Sequence, residues 1–489
     1  MKKKNVKKNY IYNLIYQVVA LILPIISTPY VSRVLGATNV GIYGYTLSIS
    51  AYFILFGTLG ITLYGQREIA YLQKDKKSYS KVFFEIFFLK LIVMTISAIV
   101  FYFVFATKNH YYYFYYRILL LELLANAIDI NWFFQGLEEF KKTVTRNLIV
   151  KLASIISIFI FVKTKEDLPI YFLIYVLSIL LGNLSLWISI PKYVCKVKLN
   201  TLQIVRHLKP TLIMFVPQVA IQIYTVLDRT MIGRIIEDKS IVGAYTQGEN
   251  IIKLLLTIIT SLGAVMLPRI AACFVQKNYE KIKDYIYKSF NVVFMLSMPM
   301  IAGIILVVDM FVPEFFGPGY DRVVNVMIIL SPILMLIGMS NVIGVQYLLP
   351  TKHQKEYTLS VVFGAIVNFI ANLFLISRFR AAGAAIGTVI AETVVTLTQI
   401  IFVRKDIKFT QILKIAIKYI LPTLIMAGAC YLFRRFVVGV YVPEGAKAVI
   451  MIAVLGVCVY GLCLIVFRIK FVTEVIVGVL NRVKKILKK

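Results

Sequence analysis

Arg33 and Arg229 stand 196 residues apart, each near the end of a long apolar stretch. Arginine suits a phosphate, because its planar fork donates paired hydrogen bonds and stays charged when partly desolvated. The same side chain at the end of a membrane span can instead snorkel to the interface. Asp228 precedes Arg229, and Glu249 is followed one turn later by Lys253. Two acids and two bases thus fall at similar depth in successive stretches, which suits either mutual neutralisation or a chamber that accepts an anion. A third group is Glu122, Asn126 and Asp129, spaced i, i+4 and i+7 in the fourth span, which places them on one helical face. Lys90 is predicted at comparable depth and can pair with Glu122 as a structural link. Ionised groups inside a membrane are expensive and normally face water or a partner. Glu122, Asp129, Asp228 and Glu249 are therefore candidate cavity acids, able to carry a proton or sodium ion, while Arg33, Arg229 and Lys253 are candidate diphosphate contacts.

Other chemistry is missing. No G-x-x-x-x-G-K-[ST] phosphate loop and no G-x-S-x-G elbow occurs, and His110, His207 and His353 are isolated from one another. ATP hydrolysis, zinc proteolysis and serine hydrolysis have no sequence support, and no catalytic residue, cofactor or metal ligand is expected. The cysteines, Cys195, Cys273, Cys430, Cys458 and Cys463, have no CxxC spacing and read as reduced packing residues.

The elements that must position these groups are membrane helices. Of the 489 residues 60% are apolar and 16% charged, and uncharged runs of about 20 residues, the length that crosses a bilayer, recur throughout. The expected fold is an all-α integral membrane protein of about 14 transmembrane helices, with 12 or 13 as alternatives. Val40-Gly41-Ile42-Tyr43 returns as Val242-Gly243-Ala244-Tyr245, and Arg67-Glu68-Ile69-Ala70 is echoed by Arg269-Ile270-Ala271. Such an echo predicts an internal repeat. The expected organisation is a six-helix lobe over 1–190, a basic amphipathic linker at 191–210, a second six-helix lobe over 211–403, two additional helices over 404–467 and a basic tail at 468–489. The linker and the tail each read either as an interfacial helix or as a solvated basic segment that only fixes topology. The seventh span, 211–235, can be two half-helices. Pro24 and Pro29 in the first span and Pro217 in the seventh bend helices that line a cavity.

Lys and Arg concentrate in alternate connections and both tails, which predicts cytoplasmic termini. The formal net charge of +31 then belongs to an inner face that attracts anionic headgroups, and nucleic acid is not needed as a partner. Lys2, Lys3, Lys4, Lys7 and Lys8 precede an apolar stretch too long for a cleavable signal, with no A-x-A site after it. Tyr111-Tyr112-Tyr113-Phe114-Tyr115-Tyr116 reads as an interfacial belt at the outer surface.

Several segments carry a resemblance. Asn13-Leu14-Ile15-Tyr16-Gln17, Thr28-Pro29-Tyr30-Val31-Ser32-Arg33-Val34-Leu35-Gly36, Tyr64-Gly65-Gln66-Arg67-Glu68-Ile69-Ala70, Asp129-Ile130-Asn131-Trp132-Phe133-Phe134-Gln135-Gly136-Leu137-Glu138 and Leu227-Asp228-Arg229-Thr230-Met231-Ile232-Gly233 resemble the Wzx-type polysaccharide repeat-unit flippases. These belong to the multidrug/oligosaccharidyl-lipid/polysaccharide exporter superfamily. The resemblance implies a MATE/MurJ-like pair of six-helix bundles in pseudo-two-fold repeat plus two C-terminal helices. It implies a flippase in the bacterial cytoplasmic membrane that moves undecaprenyl-pyrophosphate-linked oligosaccharides to the outer leaflet for capsule, exopolysaccharide or O-antigen assembly. Membrane lipids, a polysaccharide polymerase and assembly proteins are the implied partners, and the arginines are implied diphosphate contacts. A cation-coupled drug or metabolite antiporter of the same superfamily is the nearest alternative. A membrane-embedded polymerase or ligase is the alternative from another class, and it would require a large outward loop that this sequence does not supply.

Overall fold

The computed structural model describes residues 6–469 and 471–473, with side chains from Leu23 onward except at a few positions. The lysines at 2–4 and most of the expected tail 468–489 lie outside the described residues. The described chain is helical: α1 (Val6–Thr58), α2 (Ile61–Tyr71), α3 (Lys76–Phe105), α4 (Tyr113–Ala127), α5 (Asn131–Gly136), α6 (Phe140–Phe161), α7 (Leu168–Trp187), α8 (Ile190–Tyr193), α9 (Leu208–Ile235), α10 (Ser240–Val275), α11 (Tyr279–Phe316), α12 (Arg322–Leu330), α13 (Ile333–Ser340), α14 (Gln354–Phe379), α15 (Ala381–Val403), α16 (Phe409–Phe436) and α17 (Ala446–Val466). Among the described residues twelve stretches are long and apolar enough to cross a membrane. This is a multi-pass membrane protein. Leu23–Tyr71 is one of the twelve and runs through two of the expected spans, and α9 is not among them.

Packing divides the chain into Met1–Gly243 and Ala244–Lys489. The expected linker therefore lies inside the first unit, and α9 packs there against α1 and α2. Its backbone is one continuous helix, so the two half-helices expected for the seventh span are not formed. In α1 the first two spans are joined through Gly36, whose φ of 76° and ψ of 167° interrupt the helix in a region open to glycine. Asp75 starts α3, its Oδ1 accepting from the backbone N–H groups of Lys77 (3.0 Å) and Ser78 (3.3 Å).

At one end of the first unit an aromatic core forms around Phe83, Trp132, Phe133 and Phe134, all fully buried. Two of the motifs that carried the resemblance meet there. A Cβ on Gly65 of α2 would come within 2.5 Å of the Trp132 ring, and one on Gly136 of α5 within 2.7 Å of the Gln66 carbonyl oxygen. The two glycines let α2 and α5 approach closely.

The expected interfacial helix at 191–210 is a correction. The segment is instead α8, an extended run and two 3-10 turns at Leu199–Thr201 and Ile204–His207. It docks on α3 through polar bonds that compete with helix formation. The backbone N–H of Cys195 donates to Ser80 Oγ (3.0 Å) and that of Gln203 to Glu85 Oε1 (2.7 Å). Fully buried Glu85 also takes Arg206 and His207 Nε2 (2.9 Å), while Tyr64 OH lies 2.7 Å from His207 Nδ1. The aromatic run at Tyr111–Tyr116 is split as well: Tyr111 is 88% exposed, but Tyr116 is buried against Phe101 and Phe105.

In the second unit α14 and α15 touch through small residues, a Cβ on Gly383 falling 2.1 Å from the Leu375 carbonyl oxygen. Buried amides and hydroxyls link further helices, as in Ser289 Oγ donating to Gln346 Oε1 (2.7 Å) and Gln399 Nε2 to Ser360 Oγ (3.0 Å). The stretch Arg322–Leu348 is interrupted between α12 and α13 and continues as a π-helix over Asn341–Leu348.

Candidate functional site

Between α4 and α5 the helix stops for three residues, Ile128–Ile130. Asp129 makes this break locally, because its Oδ1 accepts from the backbone N–H of Asn131 (3.1 Å) and so holds an Asx-type turn. Backbone carbonyls released inside a membrane must find other donors. Three do so through side chains: Asn183 Nδ2 reaches the Ala125 oxygen (2.7 Å), Trp187 Nε1 that of Ile128 (2.8 Å) and Lys90 Nζ that of Asp129 (2.8 Å).

The break overturns two expectations. Glu122, Asn126 and Asp129 do not share one helical face, since α4 ends at Ala127. Lys90 pairs with Asp129, its Nζ 3.6 Å from Oδ2, and not with Glu122. The turn brings the Asp129 carboxylate and carbonyl to the lysine together. Glu122, buried, instead accepts from Ser50 Oγ (2.9 Å) and Tyr175 OH (2.8 Å).

A cavity of about 630 Å³ opens beside this break, walled by α1, α4, α6 and α7. Asn126 and Asp129 line it, joined by Arg146, Lys151, Asn183 and Tyr175. Arg146 is oriented by two amide oxygens: its Nη1 donates to Asn183 Oδ1 (2.9 Å) and its Nε to Asn147 Oδ1 (3.0 Å). Asn183 thus bonds the guanidinium with one end of its amide and the broken α4 backbone with the other. Tyr43, from the repeated Val-Gly-x-Tyr motif, also lines the cavity, its ring 4.7 Å from that of Tyr171. Two cations and one acid line this polar chamber with its tyrosine rings, and the acid is already paired to Lys90. Such a lining favours an anion with hydroxylated groups attached.

Arg146 and Lys151 were not singled out from sequence. The signal was present: Asn147, Lys151 and Ser154 recur at i, i+4 and i+7 along an apolar span, a polar stripe on one helix face. Pro24 lines the same cavity.

The remaining candidates lie elsewhere. Arg33 is exposed, three residues before the Gly36 break, and Arg229 is half-buried. Neither is among the side chains lining the cavity. Asp228 is buried, and Thr230 beside it on α9 donates to Ser48 Oγ on α1 (2.9 Å). In the second unit Lys253 Nζ lies 2.6 Å from Glu249 Oε1, one turn back on α10, so lysine and acid neutralise each other within the helix.

Residues 6–274 match the family described as polysaccharide biosynthesis protein, and residues 214–374 match the MatE family. The chain is 27% identical over 410 residues to the "Putative O-antigen transporter" of Escherichia coli (strain K12), covering 83% of this chain and 98% of that protein. It is 21% identical to the lipid II flippase MurJ of Bacillus subtilis (strain 168) over 240 residues, 47% of this chain and 43% of that one. Among solved structures, an inward closed lipid II flippase MurJ superposes with a TM-score of 0.73 at 17% identity, covering 96% of this chain and 100% of that one. An inward-facing MATE multidrug resistance transporter gives a TM-score of 0.62 at 15% identity, over 82% and 95% of the two chains. The two solved structures establish the fold.

Proposed function

This chain belongs to the polysaccharide biosynthesis protein family, and from that premise we propose that it is a flippase for lipid-linked oligosaccharides. It is a transporter that carries undecaprenyl-pyrophosphate-linked repeat units from the inner to the outer leaflet of the bacterial cytoplasmic membrane by alternating access, for capsule, exopolysaccharide or O-antigen assembly, with both termini cytoplasmic. The relatives named above are transporters and flippases by name. The observation that carries the reading is the cavity beside the α4 break, with Arg146 and Lys151 in its wall. A diphosphate cannot cross about 30 Å of hydrocarbon unaided. A cationic chamber of this size replaces the lost hydration with charge-assisted hydrogen bonds. Arg33 and Arg229 remain proposed diphosphate contacts elsewhere on the route. Glu122, whose partners are hydroxyls of Ser50 and Tyr175, is the proposed carrier of a coupling proton.

The test is flipping by the full chain in proteoliposomes, using a fluorescent undecaprenyl-diphosphate oligosaccharide and a membrane-impermeant quencher. Flipping by the unaltered chain is expected, and Arg146→Ala should slow it about 10- to 100-fold, the loss of one charge-assisted hydrogen-bonding group at ~1.5–3 kcal/mol. Quenching no faster than in protein-free liposomes would overturn the proposal.

A further inference from the structure

α6 is the least enclosed of the twelve membrane-spanning stretches. Within Lys142–Phe161 only Thr143 and Val144 are buried in the protein. Its outward face presents Ile149, Leu152, Ile156 and Ile160, each roughly half exposed. The face turned toward α7 is different in character. Val150, Ala153, Ser154 and Ser157, small side chains at helical spacing, oppose the larger Leu173, Leu177 and Leu181. The mismatch in size leaves a groove of about 360 Å³ along the α6–α7 seam.

This groove adjoins the polar cavity. Val150, Ser154, Ile174 and Ser178 line both. At the other end of the seam a third opening, about 530 Å³, has Lys142 and Arg146 in its wall together with one acid, Glu139, and the hydroxyls of Ser185 and Ser189, and shares Arg146 and Val150 with the cavity. Lys142 is held there over the Tyr193 ring, its Nζ 4.3 Å from the ring centre. One seam therefore presents basic groups at the start of α6, a cationic polar chamber next to them, and an apolar trough running on from Val150 to Phe161, about 17 Å at 1.5 Å per residue.

That order of surfaces matches one class of ligand. We infer that the α6–α7 groove seats the isoprenoid chain of a polyprenyl diphosphate whose charged head lies at Arg146 and Lys151. The inference rests on the flippase reading and adds to it a place for the tail and a lateral route between two named helices. Charge selects the occupant: an ordinary phospholipid would fill the trough equally well, but its single phosphate has less to gain from the paired cations than a diphosphate does. The thin packing of α6 lets the tail remain in contact with the bilayer while the head is enclosed.

The test uses the full chain in nanodiscs of phosphatidylethanolamine and phosphatidylglycerol, with p-benzoylphenylalanine at Leu177 in the groove or at Leu373 on the exposed face of α14. The probe is ³²P-labelled undecaprenyl diphosphate. Labelling at 177 should exceed that at 373 by at least about tenfold, or ~1.4 kcal/mol of preference. Unlabelled undecaprenyl diphosphate should abolish it, added phosphatidylglycerol should not, and Arg146→Ala should reduce it. Substitution at Leu173 repeats the measurement should the 177 variant fail to fold. Equal labelling at the two positions, or equal competition by phosphatidylglycerol, overturns the inference. Saturable binding of the probe without groove labelling sinks the tail site alone, whereas no saturable binding at all sinks the flippase reading with it.

Discussion

At the scale of single residues, the acids and bases inside the membrane are the informative ones. Lys90 is fully buried and holds both the carboxylate and the carbonyl of Asp129. Removing one member of such a pair leaves the other uncompensated in low dielectric. Lys90→Met should therefore destabilise the protein by about 3–5 kcal/mol, read as a lower unfolding temperature in detergent, and adding Asp129→Leu should recover part of the loss. No recovery in the double variant would show that the backbone bond to the Asp129 carbonyl carries the stabilisation. Glu122→Gln should keep the bond from Tyr175 yet abolish any dependence of flipping on an imposed proton gradient; unchanged gradient dependence would remove Glu122 from coupling. That Glu122, Asp129 and Lys90 would need partners inside the membrane was legible in the sequence, since charges within apolar runs stand out. Who pairs with whom was not, because periodicity assumes an unbroken helix and the Asx turn at Asp129 moves the carboxylate off the face shared by Glu122 and Asn126.

Among elements, the docked segment between α8 and α9 is the clearest case of packing overriding composition. Its alternation of lysines and leucines suggested a helix lying on the membrane surface, but the hydrogen-bonding demand of buried Glu85 draws Gln203, Arg206 and His207 into a latch. Burial pushes the His207 imidazole below its ordinary pKa, Arg206 adds to that direction, and the Glu85 bond opposes it. The groups facing it are Glu85, Arg206, Glu68 and the Tyr64 hydroxyl. A depressed folded pKa means that the stabilisation is present above the ordinary imidazole range and is lost as pH falls through the lower folded value. Amide exchange in 199–207 should therefore accelerate as pH is lowered below about 6.5, after correction for intrinsic exchange. His207→Gln should flatten that acceleration, and a pH response unchanged in the variant would assign it to another group. Lys151 and Arg146 illustrate the converse: a polar stripe on α6 was readable, but only the break in α4 and the breadth of α7 show that it faces a chamber.

The repeat was the most legible feature of the whole molecule, and the structure gives its two glycines a direct task. A Cβ on Gly41 would fall 1.7 Å from the Lys239 carbonyl oxygen and 2.9 Å from the Gly243 nitrogen; one on Gly243 would fall 2.1 Å from the Ala37 carbonyl oxygen. Neither backbone can accept a methyl group without moving. Gly41→Ala or Gly243→Ala should lower thermal stability by about 1–3 kcal/mol, as other overpacked contacts do, and an unshifted unfolding temperature would show that these segments separate readily. Cysteines at 110 and 353 should be labelled from outside and from inside respectively; the reverse would discard the proposed topology. The span pattern and the echo were readable because apolar length and repetition are linear properties, whereas the chamber is assembled from four helices and has no linear signature. Asn183 gives that chamber a historical constraint. One amide serves both the guanidinium that would meet cargo and the freed carbonyl of a broken neighbouring helix, so a lineage drifting toward a new sugar cannot freely retune this wall. Diversity among descendants should accumulate at Ser178 or Asn147 before it touches Asn183.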